Sequence, residues 1–391
     1  MSIFPDNILI QRYRMGRAAT VIDYAERKGS LVLFRQETEM VSSSVRYVGD
    51  TDEVAETRIP KDLYVCQLHD VAVVGSSNMC IGKRGELLYD LLIMCISNEN
   101  YRLSDRVLKK HHGKPVHLLG RYVMHYMNAG MKLDAAISLV CNFSSNYYHF
   151  IYEAISKFYL LDKCQIPEDV PLLVDERIKD VPQLMELLRL FAGNRQIVFL
   201  KARHMCRVKV LYYVSGVNQI IPNYVDIKQV RAEDNLFCPA AILFIRQHFL
   251  DYASAGKTFP KRFYIARKNT NNRSYNEKEL TQIARDYDFE VVSPEDYTVA
   301  DQFLLFANAE CVIAASGAAL SNIVCCKPGC RVLVLFSHVM DLTVFSSIAS
   351  CLNIDMRYLI GKCVEESSLQ TPYTVNADDF KKSITEWLIK E

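Results

Sequence analysis

From residue 133 onward the chain alternates short apolar runs with longer segments in which apolar residues return every three or four positions. AAISLVC is apolar throughout, the pattern of a strand buried on both faces. In NYYHFIYEAISKFYLLDKC the residues Tyr147, Phe150, Ile151, Ala154, Ile155, Phe158 and Leu161 stand at helical spacing. PLLVD, VPQLMELLRLF, QIVFL and VKVLYYV then predict strand, helix, strand and strand. A periodic segment, CPAAILFIRQHFLDYA, opens a cleaner alternation. RFYIAR, FEVV, CVIAA and RVLVLF read as strands, with NEKELTQIARDY and TVADQFLLFANA as the helices between them. Asn276 and Glu279 have capping-box spacing at the start of the first of these helices. Such alternation implies a parallel sheet with right-handed crossovers. NADDFKKSITEWLIK has the pattern of an amphipathic helix. Before about Gly120 the pattern is different. SLVLFR, SVRYVG and DLYVCQLHDVAVVG alternate and are rich in β-branched residues, which predicts strands in an irregular β-rich region.

A chain of 391 residues exceeds the roughly 250–300 that one core supports, so two domains are expected. The polar stretch NQIIPNYVDIKQVRAEDN, with Pro222, is the candidate linker. The expected division is an N-terminal domain over 1–234, a second domain over 235–372 and a closing helix over 373–391 that packs back on the first. The formal net charge is +1, which gives no global attraction to nucleic acid or to an anionic membrane. An anionic ligand must therefore meet a local cluster. The 13 cysteines are scattered through apolar runs, and the N-terminal stretch has no basic segment leading into a long apolar one. Both features point to a cytoplasmic protein with reduced, buried thiols, the adjacent Cys325 and Cys326 included. LYDLLIMCISNEN is the nearest approach to the roughly 20 apolar residues of a membrane span, and it is too short.

Ligands of open parallel sheets bind beyond the C-terminal ends of the strands. That rule selects ARKNTNNRSYNE, SPEDY and SGAALSN. The first carries Arg267, Lys268 and Arg273 ahead of a helix, a cluster suited to phosphate oxygens; its other reading is a solvated basic turn. In the third, Gly317, Ala318 and Ala319 precede Asn322, and small side chains there would let a ligand approach backbone N–H groups. Close helix–sheet packing selects the same small residues. His149 and Glu153 lie four apart on one predicted helix and so share a face. Either has the chemistry of a general base, and a surface His–Glu pair is the bland alternative. No further residues complete a metal-ligand set at useful spacing. Gly256-Lys257-Thr258 lacks the first glycine of a phosphate loop. Asp50-Thr51-Asp52 and Asp286-Tyr287-Asp288 read as solvated turns, and no G-x-G-x-x-G follows a predicted strand.

Taken in order, NYYHFIYE, RFYIARKNTNNRSYNE, VVSPEDYTVADQFLLFANAECVIAASGAALSN and KPGCRVLVLF resemble glycosyltransferase family 61, from Asn146 to Phe336. The resemblance implies a GT-B fold, with two Rossmann-like α/β domains facing across a cleft, 1–234 on the acceptor side and 235–372 binding the nucleotide-sugar donor. It implies an inverting transferase that needs no metal or other cofactor and uses a nucleotide sugar, commonly a UDP-sugar. Its partners would be that donor and a glycan or glycolipid acceptor, with no nucleic acid. The expected setting is surface polysaccharide (capsule) biosynthesis in the cytoplasm or peripherally at the inner membrane face. Arg267 and Arg273, with Asn272 between them, match the family's donor-diphosphate segment. Ser316, Gly317, Ala318 and Asn322 match its H-G-A-x-L-x-N segment, and His149 and Glu153 match its H-x-x-x-[ED] motif, where the base is expected. Two positions depart from the pattern: Ser316 replaces a histidine, and the strand near Val334 lacks an acidic residue that can hold the donor ribose. Those departures are the basis of the alternative reading, an inactive nucleotide- or glycan-binding relic of such an enzyme.

Overall fold

The computed structural model describes residues 11–16, 18–51, 54–90, 122–220, 234–253, 257–267, 273–338, 344–363 and 371–389, with backbone alone for 11–16, 18 and 122–129. The chain is a mixed α/β protein with two sheets and two compact units. The first unit comprises Met1–Thr38 and Pro60–Val225; the second comprises Glu39–Ile59 and Asp226–Glu391.

The first unit is built on β1 (Gln11–Gly16), β2 (Ala18–Thr20), β3 (Val32–Ser43), β4 (Glu56–Val74), β5 (Cys80–Ile81), β6 (Leu87–Tyr89), β7 (Tyr122–Ser138), β8 (Leu172–Asp175), β9 (Ile197–Leu200) and β10 (His204–Val214). Their order is β2-β6-β5-β4-β10-β7-β8-β9, with β1 paired to β7 and β3 to β4. β10, β7, β8 and β9 run parallel, and β4 is antiparallel to β10. The first strand of the α/β part, β7, contains the start of the apolar run AAISLVC but begins earlier, at Tyr122, and the β-rich part attaches through β4. Leu68, Val71, Val73, Leu173, Leu211 and Val208 form the core on one face of this sheet.

One expectation fails in this part of the chain. SVRYVG makes no strand. Gly49 turns the chain at φ 93°, the Asp50 carboxylate accepts the Tyr47 N–H at 2.8 Å, and only Tyr47 pairs, as an isolated bridge to Tyr358. The division between the two compact units falls inside the candidate linker, between Val225 and Asp226. Asn218, Gln219, Asp234 and Asn235 are all buried, while 221–233 lies outside the described residues. Polar composition there reflects hydrogen-bonding demand inside the fold, because Asn218 and the Asn235 carbonyl both bond to neighbouring groups.

The second unit holds β11 (Arg262–Ile265), β12 (Glu290–Val292), β13 (Cys311–Ala315), β14 (Arg331–Ser337), β15 (Asp355–Cys363) and β16 (Tyr373–Thr374), in the order β12-β11-β13-β14-β15-β16. All neighbours are parallel except β15 and β16. β13 is buried along its whole length and β14 at all but its first residue, as continuous apolar runs require when helices cover both faces. Helix Pro239–Tyr252 packs on helix Val299–Ala307 through Phe249 and Phe303, stacked 4.1 Å apart at 7°. The predicted capping box at helix Glu277–Asp286 does not form: Asn276 instead brackets Val375, accepting its N–H and donating to its carbonyl, each at 3.0 Å. The NADDFKKSITEWLIK segment forms a helix Ala377–Ser383 that widens into a π turn Ile384–Leu388, both buried against the sheet through Phe380, Ile384 and Leu388.

Candidate active site

The first unit's candidate chemistry sits just after β7. The predicted helix over 146–164 is broken into four parts: an α turn Tyr147–His149, a π turn Phe150–Ala154, a 3-10 turn Ile155–Lys157 and an α turn Phe158–Leu161. Asn146 caps it, its Oδ1 accepting from the N–H of Tyr148 at 3.0 Å and of His149 at 3.3 Å. His149 lies in the α turn and Glu153 in the π turn. His149 Nδ1 stands 3.3 Å from Glu153 Oε1, so an Nδ1–H donates to the carboxylate. The imidazole is buried, 4.7 Å from the Phe143 ring. Glu153 Oε2 is also buried and has no hydrogen-bond partner among the described residues. A buried carboxylate oxygen left in that state costs about 1–3 kcal/mol or more, which favours a site completed by a ligand.

Asp175, at the end of β8, ties this region together. It is buried and accepts from the Ser76 N–H at 2.5 Å, the Ser76 hydroxyl at 3.2 Å and the Cys141 N–H at 3.1 Å. Burial pushes its pKa up, and those hydrogen bonds oppose the shift. Cys141 follows β7 and leads into the capped helix, so Asp175 fixes the loop that presents His149. The sequence shows Asp175 only as the last residue of PLLVD, and nothing local distinguishes it from a turn residue.

The second unit's candidate site lies at the ends of β11 and β13. Arg267 is held on three sides. Its Nη2 donates to the Ser316 carbonyl at 2.6 Å, its Nη1 to the Arg273 carbonyl at 3.3 Å, and its backbone N–H to Glu277 Oε1 at 3.0 Å. The guanidinium also lies 5.9 Å from the centre of the Tyr275 ring. Tyr275 donates to Glu277 at 2.8 Å, shares a 2.8 Å hydrogen bond with Tyr264, and stacks on Tyr373 at 5.3 Å and 16°. Arg273 adopts φ 54°. Burial, and next the charge of Arg267, lower its pKa, yet an arginine stays cationic at neutral pH. Burial pushes Tyr373 up to about 12, while both arginines pull the other way, so its ring lies in their joint field. Two cations fixed at one loop repel each other, and an anion between them relieves that repulsion.

Residues 147–333 match the family described as Glycosyltransferase 61. That segment is a glycosyltransferase family 61 domain, which supports a glycosyltransferase enzyme. The match takes in both candidate clusters, from the His149 turn to β14. Among curated proteins nothing matches the chain.

In this glycosyltransferase the glycine of the SGAALSN loop has a specific task. Gly317 is extended, so no special backbone angle demands it; a Cβ there would stand 3.3 Å from Arg267 Nη2. Small size makes room for the arginine. Ala318 opens the 3-10 helix Ala318–Cys325 beyond it. Asn322 is fully buried and donates to Gln302 at 3.0 Å, and Gln302 in turn holds the Pro294 carbonyl at 2.9 Å. It therefore braces the SPEDY turn from inside. Ser316 contributes its main-chain carbonyl to Arg267. Histidine in its place would offer the same group, so this departure leaves the arginine's anchor intact. Val334 is fully buried between Ala314 and Tyr358 in the sheet, short of the strand end where Ser337 and His338 stand. Asn272 and Lys268 lie outside the described residues. Among the described residues no three His, Cys, Asp or Glu groups gather to hold a metal ion, and no helix is long and apolar enough to cross a membrane.

Proposed function

We propose that the chain is an inverting, metal-independent glycosyltransferase of GT-B type, which moves a sugar from a UDP-sugar to a hydroxyl of a glycan or glycolipid in surface polysaccharide (capsule) assembly, in the cytoplasm or peripherally at the inner membrane face. The buried, unpartnered Oε2 of Glu153 carries this reading. With Oε1 engaged by His149, Oε2 is the oxygen left to receive a proton. In the reaction the acceptor oxygen forms a bond to the anomeric carbon from the side opposite the diphosphate. The bond to the diphosphate oxygen breaks, its electron pair departs with the nucleotide, and the acceptor proton passes to Glu153. His149 orients the carboxylate. Arg267 and Arg273 stabilise the charge that grows on the leaving diphosphate, work that fixed dipoles and cations perform without reorganisation.

A well-placed base contributes about 10²–10⁴-fold in rate. Glu153→Gln should thus lower turnover by that range while calorimetry shows unchanged affinity for UDP. Wild-type turnover in this variant removes Glu153 from the role. The second reading, a binding relic, is favoured by the loss of an acidic residue near Val334. It predicts UDP binding without nucleotide release from any of a panel of UDP-, GDP- and CMP-sugars.

A further inference from the structure

The π turn that carries Glu153 is held open by a side chain from another loop. In this turn the Ile155 N–H reaches back to the carbonyls of Phe150 and Ile151, which widens the helix locally. The Tyr152 carbonyl accepts instead from two side chains, Ser156 Oγ at 2.7 Å and Asn218 Nδ2 at 2.8 Å. Ser156 belongs to the same helix and moves with it. Asn218 does not. It follows β10, and its loop is pinned to the sheet at several points. Ser215 N–H donates to the Tyr64 carbonyl at 3.0 Å, Tyr64 N–H donates to Ser215 Oγ at 3.0 Å, and Gly216 N–H donates to the buried Asp90 carboxylate at 2.9 Å. Asn218 is itself 2% exposed, so its amide has little freedom to swing.

A π turn is rarer and locally less favourable than the α form, and it recurs at functional sites where it re-aims a side chain. Here it lies between His149 and the helix body, and the braced carbonyl belongs to the residue immediately before Glu153. The geometry points to Asn218 as a positioning residue of the transfer reaction: it locks the Tyr152 carbonyl and thereby fixes the carboxylate of Glu153 against His149. The inference rests on the proposed role of Glu153 as the base. Asn218 touches no reacting atom in this account. It acts through the turn.

The test uses the full chain and the variants Asn218→Ala, Ser156→Ala and Glu153→Gln. Nucleotide release is followed from a panel of UDP-sugars, UDP affinity by calorimetry, and the turn by crystallography. A misplacement of about 1 Å at a reacting group costs on the order of 100-fold in rate. Asn218→Ala should therefore lower kcat by about 10- to 100-fold with KM for the donor and UDP affinity unchanged, and shift the acid limb of the pH–rate profile. Ser156→Ala, which leaves the Asn218 anchor, should have the smaller effect. A crystal structure of Asn218→Ala should show the 3.3 Å contact between His149 and Glu153 lost or lengthened. Wild-type kcat and pH profile in Asn218→Ala, with that contact intact, overturns the inference. Lower thermal stability with kcat unchanged at a temperature where the variant is folded also overturns it, because a purely structural brace gives that result. The underlying reading fails separately, through full turnover in Glu153→Gln, and the crystal structure then still decides whether Asn218 holds the turn.

Discussion

Arg267 occupies the space that a side chain at position 317 would need, and this relation sets the sharpest requirement at the donor-side loop. Gly317→Ala brings a Cβ to 3.3 Å from the guanidinium, closer than ordinary contact, so Arg267 must shift away from the Ser316 carbonyl. Calorimetry should show weaker UDP binding in this variant with little change in unfolding temperature. Arg273→Ala should weaken UDP binding more, since charge-assisted hydrogen bonds to an anion contribute about 1.5–3 kcal/mol, or roughly 10- to 100-fold. Wild-type affinity in Arg273→Ala would count against the proposed diphosphate site. Asp175 offers a test that needs no substrate. Its pKa in the fold is raised above the ordinary 3.8, so the folded state favours the neutral acid. Below that ordinary value both states are protonated and no penalty applies. As pH rises the unfolded chain ionises first, so this group's contribution falls until the raised value is passed, and it is constant above. Urea unfolding should show the wild type losing stability relative to Asp175→Asn between pH 4 and neutrality. An equal difference at both pH values contradicts that linkage.

Helix Val299–Ala307 shows how local and tertiary contributions differ in size. Thr298 caps it, accepting the Asp301 N–H at 3.1 Å, and Asp301 is paired with Lys257 at 2.7 Å. The hydrogen bond from Lys257 is the main cause of the lowered Asp301 pKa, so this contribution is present above the ordinary 3.8 and fades as pH falls through the lower folded value. Thr298→Ala should cost about 1 kcal/mol. Phe303→Ala, which empties a fully buried position stacked on Phe249, should cost about 3–5 kcal/mol. Chemical denaturation of both variants checks the ranking. Elements with this strong tertiary support were legible from spacing alone: helix Pro182–Ala192, helix Pro239–Tyr252, β13 and β14 stand where apolar periodicity places them. Elements that depend on remote partners were not. β15 is anchored along its length to β14, but DMRYLIGKC mixes polar and apolar residues. The helix carrying His149 has ordinary helical spacing in the sequence, and its π turn depends on a side chain some sixty residues away along the chain.

Across the whole molecule the thiols give an independent check on packing. All 12 cysteines in the described residues are free, and only Cys164, Cys351 and Cys363 are even partly exposed. Burial pushes Cys66, Cys80 and Cys351 up to about 12 and Cys206 and Cys311 to about 11, so the thiolate is scarce at neutral pH. Iodoacetamide labelling read by mass spectrometry should find Cys363 and Cys164 modified first in the native protein, and the buried set only in urea. Rapid native labelling of Cys66 or Cys80 would mean that the first unit's core opens more readily than its packing implies. A nucleotide that binds the second unit should also raise the protein's apparent stability, by about 2.7 kcal/mol at 100 times its dissociation constant. The sequence by itself determined that the chain is α/β, that its alternation of buried strand and helix begins near residue 133, and which loops could carry chemistry. Those properties follow from side-chain periodicity and from the rule that parallel sheets bind ligands at their strand ends, both of which are local. Only the tertiary structure decided that 39–59 joins the second unit, that Asn322 is a buried brace, that Gly317 yields its space to Arg267, and that Asp175 and Asn218 hold the loop and turn around Glu153. Each of these is a contact between residues far apart in the chain, and composition and spacing contain no term for such a contact.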